Sequence, residues 1–144
     1  MKVEINDFVT RPISEVFRAI VDKNQLVGYF ASSASNDLKS GIDVEWEFAD
    51  YGVSCIIQSI QVQENEFITF EWEVENKMRK VNITLSKVED QKTKINITEE
   101  FYSLEEVRTM MGQTQGWTDF SCSLKAYLYT GINLRNGLKS RLKI

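Results

Sequence analysis

Between Ile42 and Phe101 apolar and polar residues alternate through five consecutive segments, and the last runs straight into a helix-start signal at Ser103. No other feature limits the choice of fold as much. Alternation with a period of two marks strands that bury one face. Ile42, Val44, Trp46 and Phe48 share a face against Asp43, Glu45 and Glu47. After a turn at Asp50-Tyr51-Gly52, Val53, Cys55 and Ile57 alternate, and the phase then slips toward Ile60 and Val62, which predicts a bulge near Ser59. Ile68, Phe70, Trp72 and Val74 alternate with Thr69, Glu71, Glu73 and Glu75; Val81, Ile83 and Leu85 follow, then Ile95, Ile97 and Phe101. Short polar connections make these consecutive antiparallel hairpins. One sheet face is aromatic and aliphatic, the other polar and mostly acidic, so one side needs a cover.

The cover begins at Ser103-Leu104-Glu105-Glu106, which reads as a capping box with Ser103 as N-cap, Glu106 reaching back, and Tyr102 and Val107 as the hydrophobic staple. Helix-compatible sequence then runs to a stop at Gly131, a stretch of 27 residues. Val107, Met110, Met111, Trp117, Phe120, Leu124, Tyr127 and Leu128 supply its sheet-facing side, while Gly112 and Gly116 are places for a bend or a close approach. Upstream, Val3 and Ile5 mark a first strand. Pro12 opens a helix with the stripe Ile13, Val16, Phe17, Ile20 and Val21. Asn24 reads as the cap of a second short helix carrying Leu26, Val27, Tyr29 and Phe30, and residues 31–40 read as a loop. The expected fold is α+β: an antiparallel sheet of about six strands wrapped on a long C-terminal helix, with two short helices after the first strand. At 144 residues a single domain over 1–144 is expected, with 135–144 as a basic tail.

Several function classes fall away. The chain has no histidine, and Cys55 and Cys122 form no CxxC pattern, which removes the usual zinc sets, Ser–His–Asp triads and Cys–His dyads. No metal or cofactor is expected, and no glycine loop for phosphate is present. A net charge of −4 argues against a nucleic-acid partner, the local exception being Arg135, Lys139, Arg141 and Lys143, read as a solvated tail. The alternating amino terminus is no signal peptide, and no apolar run reaches the ~20 residues of a membrane span. Two unlinked cysteines suit a reducing compartment, so the expected location is cytoplasmic. Asn82-Ile83-Thr84 and Asn96-Ile97-Thr98 match the glycosylation sequon but lie in expected strands and are read as chance.

Arg11-Pro12-Ile13-Ser14-Glu15-Val16-Phe17 opens the first helix, Phe70-Glu71-Trp72-Glu73 lies in a central strand, and Gly116-Trp117-Thr118-Asp119-Phe120 with Leu124-Lys125-Ala126-Tyr127-Leu128 lies in the last helix. In this order the motifs resemble the START-like superfamily, which includes the birch-pollen-allergen-like proteins. Within it they resemble the branch named after the activator of heat-shock-protein-90 ATPase. The resemblance covers essentially the whole chain, and the order of the motifs carries it. It implies a helix-grip fold with a cavity between sheet and terminal helix, which in the superfamily often holds a lipid, hormone or polyketide-like molecule. Chaperone activation does not carry over: the eukaryotic activators have a separate amino-terminal domain with an Asn- and Trp-containing contact motif, and this chain has neither.

Trp46, Phe48, Phe70, Trp72, Trp117 and Phe120 converge between sheet and helix, where they either line an apolar pocket or fill the core. Met111, with Met110, suits an adaptable wall. Arg79 shares the phase of Val81, Ile83 and Leu85, and Glu99 that of Ile95, Ile97 and Phe101, so both charges point to the covered side. Three readings stand: an internal ion pair, the polar end of a ligand site, or strand-end side chains that reach water. Glu99 and Asp119 are the candidates for acid–base work, the other carboxylates lying on the wet face. The leading expectation is a non-catalytic binding or carrier protein for an apolar or aromatic small molecule. The second is a protein-interaction module or chaperone ATPase cofactor, and the third a small cyclase- or hydrolase-like enzyme using Glu99. An enclosed cavity favours the first, a filled core with an exposed apolar patch the second, and a polar pocket around Glu99 the third.

Overall fold

The computed structural model describes residues 1–136. Strand β1 (Lys2–Val9) leads into helices α1 (Ile13–Val21) and α2 (Lys23–Leu26), then strands β2 (Ser33–Ala34), β3 (Val44–Phe48), β4 (Val53–Gln63), β5 (Phe67–Val74), β6 (Lys77–Glu89) and β7 (Lys92–Glu100), and finally helix α3 (Val107–Thr130). The strands form one antiparallel sheet in the order β1-β7-β6-β5-β4-β3-β2. This is the expected helix-grip architecture, with seven strands where six were read. The extra strand lies in the segment taken for a loop. Ser33 and Ala34 pair with Glu47 and Trp46, and the Ser32 and Ser35 hydroxyls accept from the backbone N–H groups of Ala49 and Glu45, both at 2.8 Å. Two residues are too few to leave a periodic signal.

Pro12 stands at the N-cap of α1, one residue earlier than the sequence suggested, and Val16, Ala19 and Ile20 are its buried stripe. The cap of α2 is Asp22, whose carboxylate accepts from Asn24 N–H at 2.8 Å; Asn24 itself is already inside the helix. The bulge falls where the phase slips. Ser59 has φ 53°, and the β4–β5 register shifts between Gln58 and Gln61. Beyond the pair Gln58↔Glu71 that ladder stops: β4 continues with β3 to Val53, and β5 continues with β6 to Val74.

The core joins inward residues of the sheet, including Val44, Ile57, Ile60, Ile68, Phe70, Val81, Ile83, Ile95 and Ile97, to Trp117, Phe120 and Leu124 of α3. Each such side chain contributes about 1.5–3 kcal/mol on burial. A polar clamp adds to this where α3 crosses β1. Asp7 accepts from Ser121 Oγ at 2.7 Å and pairs with Lys125 at 2.8 Å. Burial works to raise the Asp7 pKa, but hydrogen bonds from Lys125, Ser121 and the Phe8 N–H outweigh it and leave it lowered.

The start of α3 departs from the capping box. The Ser103 hydroxyl does accept from a backbone N–H, that of Glu105 at 3.2 Å, but a 3₁₀ turn over Leu104–Glu106 precedes the helix. Glu106 reaches Tyr102 N–H and Arg79 instead of Ser103, and Tyr102 and Val107 are exposed, so no staple forms. Gly131 ends α3 in the left-handed conformation at φ 71°. The close backbone approach is at Gly28, where a Cβ would lie 2.8 Å from the Tyr127 ring; at Gly112 and Gly116 it would meet nothing within 4 Å. Of the basic tail, Arg135 is described, while Lys139, Arg141 and Lys143 lie outside the described residues.

Candidate functional site

Where β4 and β5 part, a groove of about 380 Å³ opens between the sheet and α3. The turn after α2 contributes Tyr29 and Phe30, the β3–β4 turn region Phe48, Tyr51, Val53 and Cys55, and the end of β5 Trp72, Glu73 and Val74. Helix α3 contributes Gln113, Gly116, Asp119, Phe120 and Ser123, and Arg135 closes the list from beyond the helix. A recess of about 80 Å³ under Phe30, Trp72, Gln113, Gly116 and Trp117 adjoins it.

The predicted aromatic residues divide into two sets. Phe48, Trp72 and Phe120 face the groove, and Trp117 faces the recess. Trp46 and Phe70 stand behind them as packed core, with ring centroids 5.6 Å apart, and Trp46 lies 6.2 Å from Trp72. Phe30 is the hub, 5.5 Å from Trp46, 5.1 Å from Phe48 and 4.9 Å from Phe120, all edge-to-face. The core behind the site is therefore largely filled, and the remaining space is a solvent-reaching groove rather than an enclosed cavity.

Glu99 is completely buried beneath this wall. Its Oε2 accepts from Trp72 Nε1 at 2.6 Å, and its Oε1 accepts from Gln113 Nε2 at 2.8 Å and Trp117 Nε1 at 3.3 Å. Three N–H donors thus meet a group whose ionised form only accepts. Both oxygens are committed to side chains of the recess wall.

Arg79 is buried as the alternation required, but its partner is Glu106. Nη1 and Nη2 donate to the two Glu106 oxygens, each at 3.0 Å, and Lys77 reaches the same carboxylate at 3.0 Å. The register explains the choice. Glu99 pairs with Val81, which sets Arg79 two residues along, over the Phe101 ring at 4.4 Å and beside the start of α3. Hydrogen bonds from Arg79, then from Tyr102 N–H and Lys77, bring the Glu106 pKa down to about 2. Neither Arg79 nor Glu99 lines the groove. Met111 is 68% exposed and also stands outside it. Asp119 sits on the rim in water, without the desolvation an acid–base residue needs.

Sequence reasoning missed Tyr29, Phe30, Tyr51, Gln113 and Arg135 as lining residues. Phe30 and Tyr29 were visible only as part of an apolar helix stripe. Gln113 and Arg135 carried no signal at all. A larger depression of about 690 Å³ lies on the other side of the β4–β5 parting and shares Val53, Cys55 and Glu73 with the groove, but it contains no aromatic ring. Burial, and then Glu45, push the Cys55 thiol up to about 11, which leaves it a poor nucleophile. Among the described residues no three His, Cys, Asp or Glu side chains cluster as a metal site.

The family model described as "Activator of Hsp90 ATPase homolog 1-like protein" matches residues 10–129. No curated protein matches the chain in sequence. Among solved structures, the protein SSP2350 from Staphylococcus saprophyticus superposes with a TM-score of 0.82 at 26% identity, over 94% of this chain and 96% of that one. DynU16, from the dynemicin biosynthetic locus, gives 0.79 at 24% identity, over 91% of this chain and 48% of the other. The Aha1 dimer from Colwellia psychrerythraea, solved in solution, gives 0.78 at 15% identity, over 91% and 98%. The last two show a common fold only.

Proposed function

The chain belongs to the Activator of Hsp90 ATPase homolog 1-like family, and on that premise we propose that it is a non-catalytic binding or carrier protein for an apolar or aromatic small molecule. The observation that carries this reading is the groove of about 380 Å³, walled by Phe30, Phe48, Trp72 and Phe120. That volume is in the range of small-molecule sites, which are mostly apolar with a few placed polar groups. Glu99 supports the same reading from below. With both oxygens hydrogen-bonded to Trp72, Gln113 and Trp117, it fixes the wall, and it is fully buried outside the groove lining. The enzyme reading through Glu99 therefore draws no support from the geometry. Free Cys55 and Cys122 favour a reducing compartment such as the cytoplasm, and among the described residues no helix is long and apolar enough to cross a membrane.

Native mass spectrometry of protein purified from its own host tests the proposal. A small molecule of defined mass, released on denaturation, is the expected result. An unliganded mass, together with no saturable binding of the neutral dye N-phenyl-1-naphthylamine, overturns it.

A second reading has two observations in its favour, the filled core behind the groove and an exposed apolar patch. Leu104, Val107 and Met111 make an exposed apolar stripe at the start of α3, beside exposed Tyr102, and such a surface suits a protein partner. The dimeric Colwellia relative makes a second copy of the chain one candidate. Sedimentation at rising concentration tests that candidate, a strictly monomeric species counting against it.

A further inference from the structure

Resting on the groove reading above, we infer that the ligand is an aromatic or apolar molecule bearing an anionic group, and that Arg135 at the groove mouth is the residue that binds it. The guanidinium carbon lies 5.7 Å from the Phe48 ring centroid and 5.7 Å from that of Tyr51, within cation–π reach of two walls of the groove. Its backbone N–H donates to Asn133 Oδ1 at 2.9 Å, which fixes the turn that carries it. Nη2 is out of contact with water and has no hydrogen-bond partner among the described residues. No carboxylate of those residues lies within salt-bridge distance of it either, whereas Arg79 and Lys125 are both paired.

An arginine is always charged and carries five donors in a planar fork, so a half-buried one with an idle nitrogen is short of an acceptor. Carboxylate, sulfonate and phosphate oxygens match that fork, and a bound one would draw the covered Nη2 into the groove mouth. The groove also carries Glu73 and Asp119, but both side chains are exposed, where water and salt screen their charge. The partly desolvated cation is the stronger influence on a bound ligand. A molecule with its rings against Phe30, Trp72 and Phe120 then directs its charged end toward Arg135, and a cationic or neutral analogue gains nothing there.

Two dyes with nearly the same rings separate the possibilities. 1-Anilinonaphthalene-8-sulfonate carries a sulfonate, and N-phenyl-1-naphthylamine is neutral. Fluorescence titration of the native protein should show the sulfonate dye binding about tenfold tighter or more. Arg135→Gln should abolish that preference by weakening the sulfonate dye several-fold more than the neutral one, and Arg135→Lys should restore part of it. Added salt should weaken the sulfonate dye alone. Equal affinity for the two dyes in the wild type, or equal loss of both in Arg135→Gln, overturns the assignment of Arg135 and leaves the groove standing. Saturable binding of neither dye overturns the groove reading itself.

Discussion

Trp72 on β5 donates its indole N–H to Glu99 on β7 across the intervening strand β6, at 2.6 Å. The bond links the groove wall on the middle strand β5 to β7, one strand in from the sheet edge, and Gln113 and Trp117 bring α3 to the same carboxylate. A single buried side chain thus ties the helix and one groove wall together.

Glu99→Gln should therefore destabilise the protein. A carboxamide offers one accepting oxygen and one donating nitrogen, so at least one of the three N–H donors is left facing another donor. The expected cost is about 1–3 kcal/mol. Urea unfolding measures it, and a shift in tryptophan emission of the native state should accompany it. Unchanged stability would mean that the three bonds contribute nothing net.

Arg79 couples to Glu106 and not to Glu99. In double-mutant cycles with alanine, the Arg79–Glu106 interaction free energy should clearly exceed the Arg79–Glu99 one, because only the first pair shares hydrogen bonds. A larger Arg79–Glu99 value would contradict the observed pairing.

The pH dependence follows from the same pair. The folded-state pKa of Glu106 is about 2 against an ordinary 4.5, so its contribution is fully present above about 4.5 and is lost as pH falls toward 2. Thermal melts should show the wild type ahead of Glu106→Gln at pH 6, with the gap closing between pH 4.5 and 2. Asp7, also lowered, adds to acid sensitivity in both proteins and so does not create the gap. A gap that stays constant with pH would remove Glu106 as its source.

Two glycine substitutions should act in opposite directions. Gly28→Ala drives a Cβ to 2.8 Å from the Tyr127 ring and 3.0 Å from the Gln25 carbonyl, and should cost about 1–3 kcal/mol. Gly116→Ala meets nothing within 4 Å and lies in mid-helix, so it should stabilise by up to ~1 kcal/mol. Because Gly116 borders the groove, its alanine variant should also bind N-phenyl-1-naphthylamine somewhat more weakly. Calorimetry and dye titration read the two effects separately.

What was legible in the sequence follows the range of the underlying physics. Alternation reports which face a residue takes, so the six longer strands, the bulge at Ser59 and the inward face of Arg79 and Glu99 were readable, while the two-residue strand β2 and whether those charges reach water were not. Alternation does not report register. One pairing offset decides whether Arg79 meets Glu99 or Glu106, and that offset is set by the β6–β7 hairpin and by where α3 begins. The capping box was a correct local signal for the helix start, but Glu106 was drawn away by a buried guanidinium, a tertiary partner stronger than the local one. Met111 was assigned from helical spacing alone, but it lies in the first turns of α3, ahead of the stretch from Gln113 onward that lines the groove, where spacing cannot say what the helix faces. Arg135 was read as part of a charged tail because charge runs are usually solvated, and nothing in the chain's order places it over Phe48.

The early end of the β4–β5 ladder makes the sheet mechanically two ribbons, β2-β3-β4 and β5-β6-β7-β1, spliced by a few pairs between Gln58↔Glu71 and Gln63↔Phe67. Past the splice the ribbon tips share no cross-strand pair, so parting them would break none. Backbone amides of Val53–Ile57 that face the parting should accordingly exchange with solvent faster than those of β6, which is zipped on both sides.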